Sequence, residues 1–144
     1  RAIEIQDYYE KHPNREEDHP EIDSILIGIH FERPTLRQRI TDRLHERLNS
    51  GMIDEVKRLL DTKVSADDLR FYGLKYRYIT DYLTGGLDYQ TMVEKLNTAI
   101  HQFSKRQVTW FRRMERNGHN IHWIDGHLSL EEKMQKAMKV IEGK

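Results

Sequence analysis

The chain has 144 residues with 24 Lys+Arg against 24 Asp+Glu, a formal net charge of zero. That balance excludes a uniformly basic nucleic-acid coat and an acidic tail protein. At 37% hydrophobic and 33% charged, with a mean hydropathy of −0.85, it falls among globular proteins with a modest core. No stretch approaches the roughly 18 apolar residues of a membrane span, so no membrane association is expected, and the opening RAIEIQDYYE is too polar for a signal peptide. The absence of cysteine excludes disulfides, Cys-ligated zinc and thiol nucleophiles, and fits a reducing, cytoplasmic setting. The first residue is Arg1 instead of Met, so the chain is expected to be a piece of something longer.

Arg1 to Lys11 reads as a short helix ended by His12-Pro13, since proline disfavours helical geometry in the residue before it. His12 to Asp23, with two prolines and many charges, reads as an exposed linker. Ser24-ILIGIHF is an apolar, β-branched run of the kind buried on both faces in parallel sheets, and Ile121-HWID is a second such segment. Between them the signals predict helices over Pro34–Asn49, Met52–Asp61, Ser65–Leu83 and Asp88 to about Asn117, with glycines at their ends. Ser65 with Asp68, and Ser129 with Glu132, read as capping boxes, the second opening a final helix. The fold class is therefore α/β, a predominantly helical fragment with about two strands near 25–31 and 121–125. Two buried-type strands cannot hide both faces of a sheet, so further strands are expected before Arg1.

On the Asp88 helix, Val93, Leu96, Ile100, Phe103, Gln107, Trp110 and Met114 form one stripe at spacings of three and four, and Gln107 interrupts it. Its amide is either bonded to backbone or reserved for a ligand. Lys105, Arg106, Arg112, Arg113 and Arg116 surround it, opposed there only by Glu115, with Trp110 and Phe111 interleaved. Such a pattern suits phosphate contact with base stacking, though a solvated helix face has the same composition. On the Pro34 helix, Leu36, Ile40, Leu44 and Leu48 form the core row and Arg39, Arg43 and Arg47 a neighbouring one. Arg43 lies about 20° of rotation from Leu36, at the border of the buried stripe. It can pair with Asp42 or Glu46 on the surface or reach into a cleft as a phosphate clamp. The aromatics of Phe71-YGLKYRYI are expected in the core more than as base platforms. There is no HExxH pair or other metal-binding pattern, and no GxxxxGK[ST], GxGxxG or GxSxG.

The string His101-QFSKRQVTWFRR followed by IHWID closely resembles the C-terminal signature of tRNA dimethylallyltransferases, also called tRNA isopentenyltransferases. RAIEI, ILIGIHFERPTLRQRITDRL, SGMIDEVKRLL and DYLTGGLDYQTMVEKLNTAI resemble the family's preceding segments in the same order. The resemblance implies transfer of a dimethylallyl group from dimethylallyl diphosphate to the N6 amine of the adenosine just 3′ of the anticodon. It implies a P-loop-kinase-like parallel-sheet domain, with residues 1–24 ending a helical insertion region plus linker and 25–144 forming the C-terminal part of the core. Mg²⁺, the phosphate loop and the catalytic aspartate are carried over from the family's N-terminal half, so this chain is not expected to be active alone.

The same resemblance places Arg43 at the second arginine of the family's RIxxR, which holds the diphosphate. Leu74, Lys75, Tyr76 and Arg77 fall where the family reads IGYK or VGYR against the tRNA anticodon stem-loop, with Tyr72 and Gly73 just before them. Lys75 there stands in place of the family's glycine. Lys105, Arg106 and Gln107 match the KRQ that lines the tRNA side of the channel, and Arg1 matches an arginine near tRNA. The competing expectation is a non-catalytic RNA-binding helical module built on the same basic and aromatic helix.

Overall fold

Short polar side chains decide where several helices begin. The Asp88 carboxylate accepts the Thr91 amide at 2.8 Å, and the Ser129 hydroxyl accepts the Glu132 amide at 3.2 Å while Glu132 accepts the Ser129 amide at 2.8 Å. Each such cap stabilises a helix by about 1 kcal/mol. The computed structural model describes residues 2–11, 24–62 and 64–143. Their elements run α1 (Ala2–Lys11), β1 (Leu26–His30), α2 (Arg33–Asn49), α3 (Met52–Asp61), α4 (Ala66–Phe71), α5 (Leu74–Leu83), α6 (Tyr89–Arg116), β2 (Ile121–Asp125) and α7 (Leu130–Ile141). The expected linker His12 to Asp23 lies outside the described residues.

The single helix expected over Ser65–Leu83 is two helices. Between α4 and α5, Gly73 has φ 137° and ψ 177°, a conformation that side chains forbid. The break folds α4 back on α5, so that Leu69 and Ile79 are both buried. Arg70 ties the turn: its Nε donates to Asp81 Oδ1 at 2.7 Å, Nη1 to Asp67 Oδ1 at 2.8 Å and Nη2 to Thr84 Oγ1 at 3.2 Å. Only half of the capping box at Ser65 forms. Its hydroxyl accepts the Asp68 amide at 3.1 Å but donates to the Asp68 carboxylate at 2.6 Å, since aspartate lacks the methylene that lets glutamate reach back to the cap's N–H.

Leu44 and Leu48 of α2, Met52 and Val56 of α3, Leu69, Ile79, and Met92, Val93 and Leu96 of α6 make one buried cluster. Each stabilises the fold by about 1.5–3 kcal/mol through the surface it removes from water. Burial on α6 stops early: Ile100 is half-buried, and Phe103, Gln107 and Trp110 are exposed. The apolar stripe expected along the whole helix is therefore core only in its first half.

β1 and β2 pair in parallel from Leu26↔Ile121 to His30↔Asp125, and the helices α2 to α6 form the crossover that parallel pairing demands. α7 packs on β2, whose Ile121 and Ile124 are buried. β1 departs from expectation, since Ile25, Ile27 and Ile29 are exposed. Two strands leave that face without a covering layer. Gly28 is required by its cross-strand partner, because a Cβ there would stand 2.5 Å from the Trp123 ring.

Replacing Gly73 by Ala in the full-length protein is expected to lower stability by about 1–3 kcal/mol, the cost of forcing a side chain into that backbone region. Thermal melts check this. A variant that melts with the wild type would show that the turn relaxes without cost.

Candidate functional site

Three segments singled out from the sequence lie on helices that meet at α6: Arg43 on α2, residues 72–77 at the start of α5, and Lys105 to Gln107 on α6 itself. α2 and α5 both pack against α6. No hydrogen bond or ion pair among the described residues links one segment to another, so they share a scaffold without forming one contact network. Arg1 lies outside the described residues.

On α6, Lys105, Arg106 and Gln107 are exposed, with the Arg106 guanidinium 5.9 Å from the Phe103 ring centre. The Gln107 amide has no hydrogen-bond partner among the described residues, so no structural bridge holds it there. Phe111 is half-buried, edge-on to Trp110 at 5.4 Å and to Trp123 at 5.8 Å. The Trp123 indole N–H donates to Glu115 Oε1 at 2.7 Å. Phe111 is thus a packing residue, whereas Trp110 leaves most of its ring free.

On α2, Arg43 is exposed and makes no ion pair among the described residues. Its expected surface partner Asp42 instead accepts the Gln38 amide at 2.8 Å. Arg39 sits 4.6 Å over the Phe31 ring, and Arg47 approaches Glu55 at 4.0 Å. Arg43 is therefore available to a ligand on a rigid helical row.

At the α4–α5 turn, Phe71 and Tyr72 are 94% and 74% exposed, so these two aromatics are outside the core where the sequence reading had set them. Leu74 and Tyr76 are half-buried against the core, and Arg77 is exposed, 5.7 Å from the Tyr78 ring. Lys75 sits inside α5, so the glycine-requiring backbone lies two residues earlier, at Gly73. Lys75 Nζ and Tyr76 OH both donate to Glu55 Oε1, at 2.8 and 3.2 Å, and Lys75 lies 4.3 Å over the Tyr76 ring. Glu55, on α3, positions both side chains. Sequence reading missed it because nothing local links α3 to α5.

The comparisons with known proteins agree on one family. Residues 1–114 match the family model described as IPP transferase. The chain belongs to the IPP transferase family. It is 54% identical over 140 residues to a tRNA dimethylallyltransferase of Porphyromonas gingivalis, covering 97% of the chain and 46% of that protein. A tRNA dimethylallyltransferase of Bacteroides fragilis is 51% identical over 134 residues, with coverage of 93% and 44%. The solved tRNA isopentenylpyrophosphate transferase of Staphylococcus epidermidis superposes with a TM-score of 0.72 at 29% identity, over 86% of this chain and 40% of that one. That of Bacillus halodurans gives 0.70 at 30%, over 83% and 38%. The chain spans about half the length of the curated relatives it matches, and its helical fold with one parallel strand pair is the family's fold over that half.

Within this family member the Glu55 carboxyl is held below its ordinary value, first by the Lys75 hydrogen bond, then by the charge of Lys75, the Tyr76 hydroxyl and Arg47, against partial burial. A depressed folded value makes the stabilisation complete above the unfolded value of about 4.5 and removes it as pH falls through the folded one. Because the carboxylate is partly exposed, the whole effect is under about 1 kcal/mol. Glu55→Gln should therefore melt below the wild type by a constant margin from about pH 8 to about pH 5, and the margin should shrink below about pH 4.5. Melts of both full-length proteins across that range check it. A margin that persists or widens in acid would overturn the role of the charge.

Proposed function

We propose that the full-length protein is a tRNA dimethylallyltransferase, moving a dimethylallyl group from dimethylallyl diphosphate to the N6 amine of the adenosine 3′ of the anticodon. The observation that carries this reading is 54% identity to a tRNA dimethylallyltransferase across 97% of the chain. In it, residues 1–24 close the helical insertion region and 25–144 form the C-terminal part of the core domain. Neighbouring strands of the same protein cover the exposed isoleucines of β1. No helix among the described residues is long and apolar enough to cross a membrane, and the proposed setting is the cytoplasm, where tRNA is modified.

The division of labour follows from side-chain chemistry. Arg43, exposed on α2 with no ion-pair partner among the described residues, offers a guanidinium to the diphosphate as negative charge builds on the leaving group. Tyr72 to Arg77, with Arg1, Lys105, Arg106 and Gln107, face the anticodon stem-loop, the cations meeting phosphates and Gln107 a base edge. In this reading Lys75 stands at the family's glycine with Tyr76 and Arg77 at its tyrosine and basic residue, and Gly73 makes the turn two residues earlier. The described residues contain no group of three His, Cys, Asp or Glu side chains that could hold a metal. In this reading Mg²⁺, the phosphate loop and the base that takes the amine proton belong to the N-terminal half. A non-catalytic RNA-binding module is the second reading, favoured by the free cations of α6.

Prenyl transfer to unmodified tRNA by the full-length protein separates the two. Arg43→Ala is expected to lower kcat by roughly 10²-fold, about 3 kcal/mol of transition-state stabilisation, with little change in tRNA affinity. Unchanged turnover with weakened tRNA binding would overturn its role, and no turnover by the wild type would favour the binding module.

Lys105→Ala and Arg106→Ala should each weaken tRNA binding and lower its salt slope by about one unit. Gln107→Leu should lower activity with the slope kept, and with stability within about 0.5 kcal/mol because the side chain is exposed. Titrations at several salt concentrations beside thermal melts measure both. A slope unchanged by the lysine and arginine substitutions would place these cations away from the RNA.

A further inference from the structure

The face that α2 turns toward α6 changes character along its length. Leu48 and Leu44 are buried in the core, but the same row continues as Thr41, Arg37 and Arg33, each step four residues or fewer. The facing row of α6 changes at the same level, from Val93 and Leu96 to Asn97, Thr98 and His101. Where both rows turn polar an open cleft of about 610 Å³ lies between the helices, lined by these groups together with Pro34 and Gln38. Arg33 and Arg37 stand exposed at the edge of this seam. Here neither Arg33 nor Arg37 has an ion-pair partner among the described residues, no acidic side chain lines the cleft, and the first turn of α2 carries no acid.

The cleft floor is a hydrogen-bonded network: the Thr41 hydroxyl donates to Asn97 Oδ1 at 3.2 Å and lies 3.1 Å from His101 Nε2. The network holds His101 against the cleft, with two guanidiniums at its mouth. Two exposed guanidiniums with no ion-pair partner among the described residues, beside the Asn97 amide nitrogen and the Thr98 hydroxyl, suit an anion with several acceptor oxygens, such as a phosphate.

We propose that the α2–α6 cleft takes a backbone phosphate of the RNA substrate, gripped by Arg33 and Arg37. The proposal rests on the reading of tRNA as substrate. Phosphate in this system has a second source, the prenyl diphosphate, and the geometry favours RNA for two reasons. Arg43, the residue assigned to the diphosphate, stands about 120° around α2 from Arg37, on another side of the helix. In the other direction His101 leads in one turn to Lys105, so the cleft is continuous with the basic segment of α6.

The test uses the full-length protein with Arg33→Gln/Arg37→Gln together, both side chains being exposed, and the charge-keeping Arg33→Lys/Arg37→Lys as a second variant. Anticodon stem-loop RNA is titrated at several salt concentrations, and KM is measured separately for tRNA and for dimethylallyl diphosphate. The expected result for the Gln pair is about a tenfold rise in tRNA KM and Kd, a salt slope lower by about two units, and an unchanged diphosphate KM and melting temperature. The Lys pair should keep the slope and recover part of the affinity. A Gln pair that binds and turns over like an active wild type would overturn the cleft proposal while leaving the enzyme reading intact. A raised diphosphate KM with unchanged tRNA KM would reassign the cleft to the donor and overturn it too. Wild-type protein that neither binds nor prenylates tRNA would remove the functional reading itself.

Discussion

Met92, Val93 and Leu96, closed over by Leu44 and Leu48 of α2 and by Ile79 of α5, form the contact on which the placement of every candidate residue depends. It fixes only the first half of α6. A rise of 1.5 Å per residue then carries Lys105 about 14 Å beyond Leu96, past the end of the buried cluster. An isolated helix is marginal in water, and beyond the cluster this one is held by its composition, its cap and the contacts of Phe111 and Glu115 with Trp123 of β2. Arg, Lys, Gln and Met are good helix formers, and Gly118 at φ 91° ends the helix by donating its N–H to the Glu115 carbonyl at 3.0 Å. The same core that organises three helices thus holds a charged rod away from itself.

The parts of the fold readable in the sequence are those decided locally. Asp88 and Ser129 announce helix starts because their side chains bond amides three residues on, and both starts lie where those residues put them. The strands near Ile25 and Ile121 are legible because β-branched runs ended by polar residues have few alternatives. Gly73 is a different case. Periodicity continues through it, and the break is set by Arg70 reaching Asp81 and Thr84, contacts that no local window contains. Arg43, Lys105 and Arg106 could be singled out by type and spacing, but their freedom from partners could not. Glu55 and the Thr41–Asn97–His101 network were illegible for one reason: each joins helices far apart in the chain, and nothing in the spacing of α2 reveals which residues of α6 face it.

Gln107 shows how a correct observation can carry the wrong context. It does interrupt a row of apolar residues, and in a buried row an amide would need satisfying. The row is exposed from Phe103 to Trp110, so the amide costs nothing in water and needs no bridge. What remains unusual is the row itself, with Phe103 and Trp110 open on either side of an amide. Aromatic faces flanking a hydrogen-bonding group match the requirements of an unstacked base more closely than those of a helix–helix seam.

Zero net charge and the proposed RNA partner are compatible because several acids are engaged within the chain. Much of the acid is held internally: Glu55 by Lys75 and Tyr76, Asp67 and Asp81 by Arg70, Asp88 and Glu132 in caps. Even Glu115, the only acid within the basic segment of α6, accepts the Trp123 N–H. Arg33, Arg37 and Arg43 on α2, and Lys105 on α6, have no such partner among the described residues. Because screening limits exposed charges to a range of roughly 8–10 Å, an approaching phosphate responds to the cations within that distance and not to the sum over the chain. Composition reports the sum, which is why a neutral sequence could conceal a basic cleft continuous with a basic helix. The pairings that close the α4–α5 turn and join α3 to α5 thus occupy acids there, while these cations of α2 and α6 carry none among the described residues.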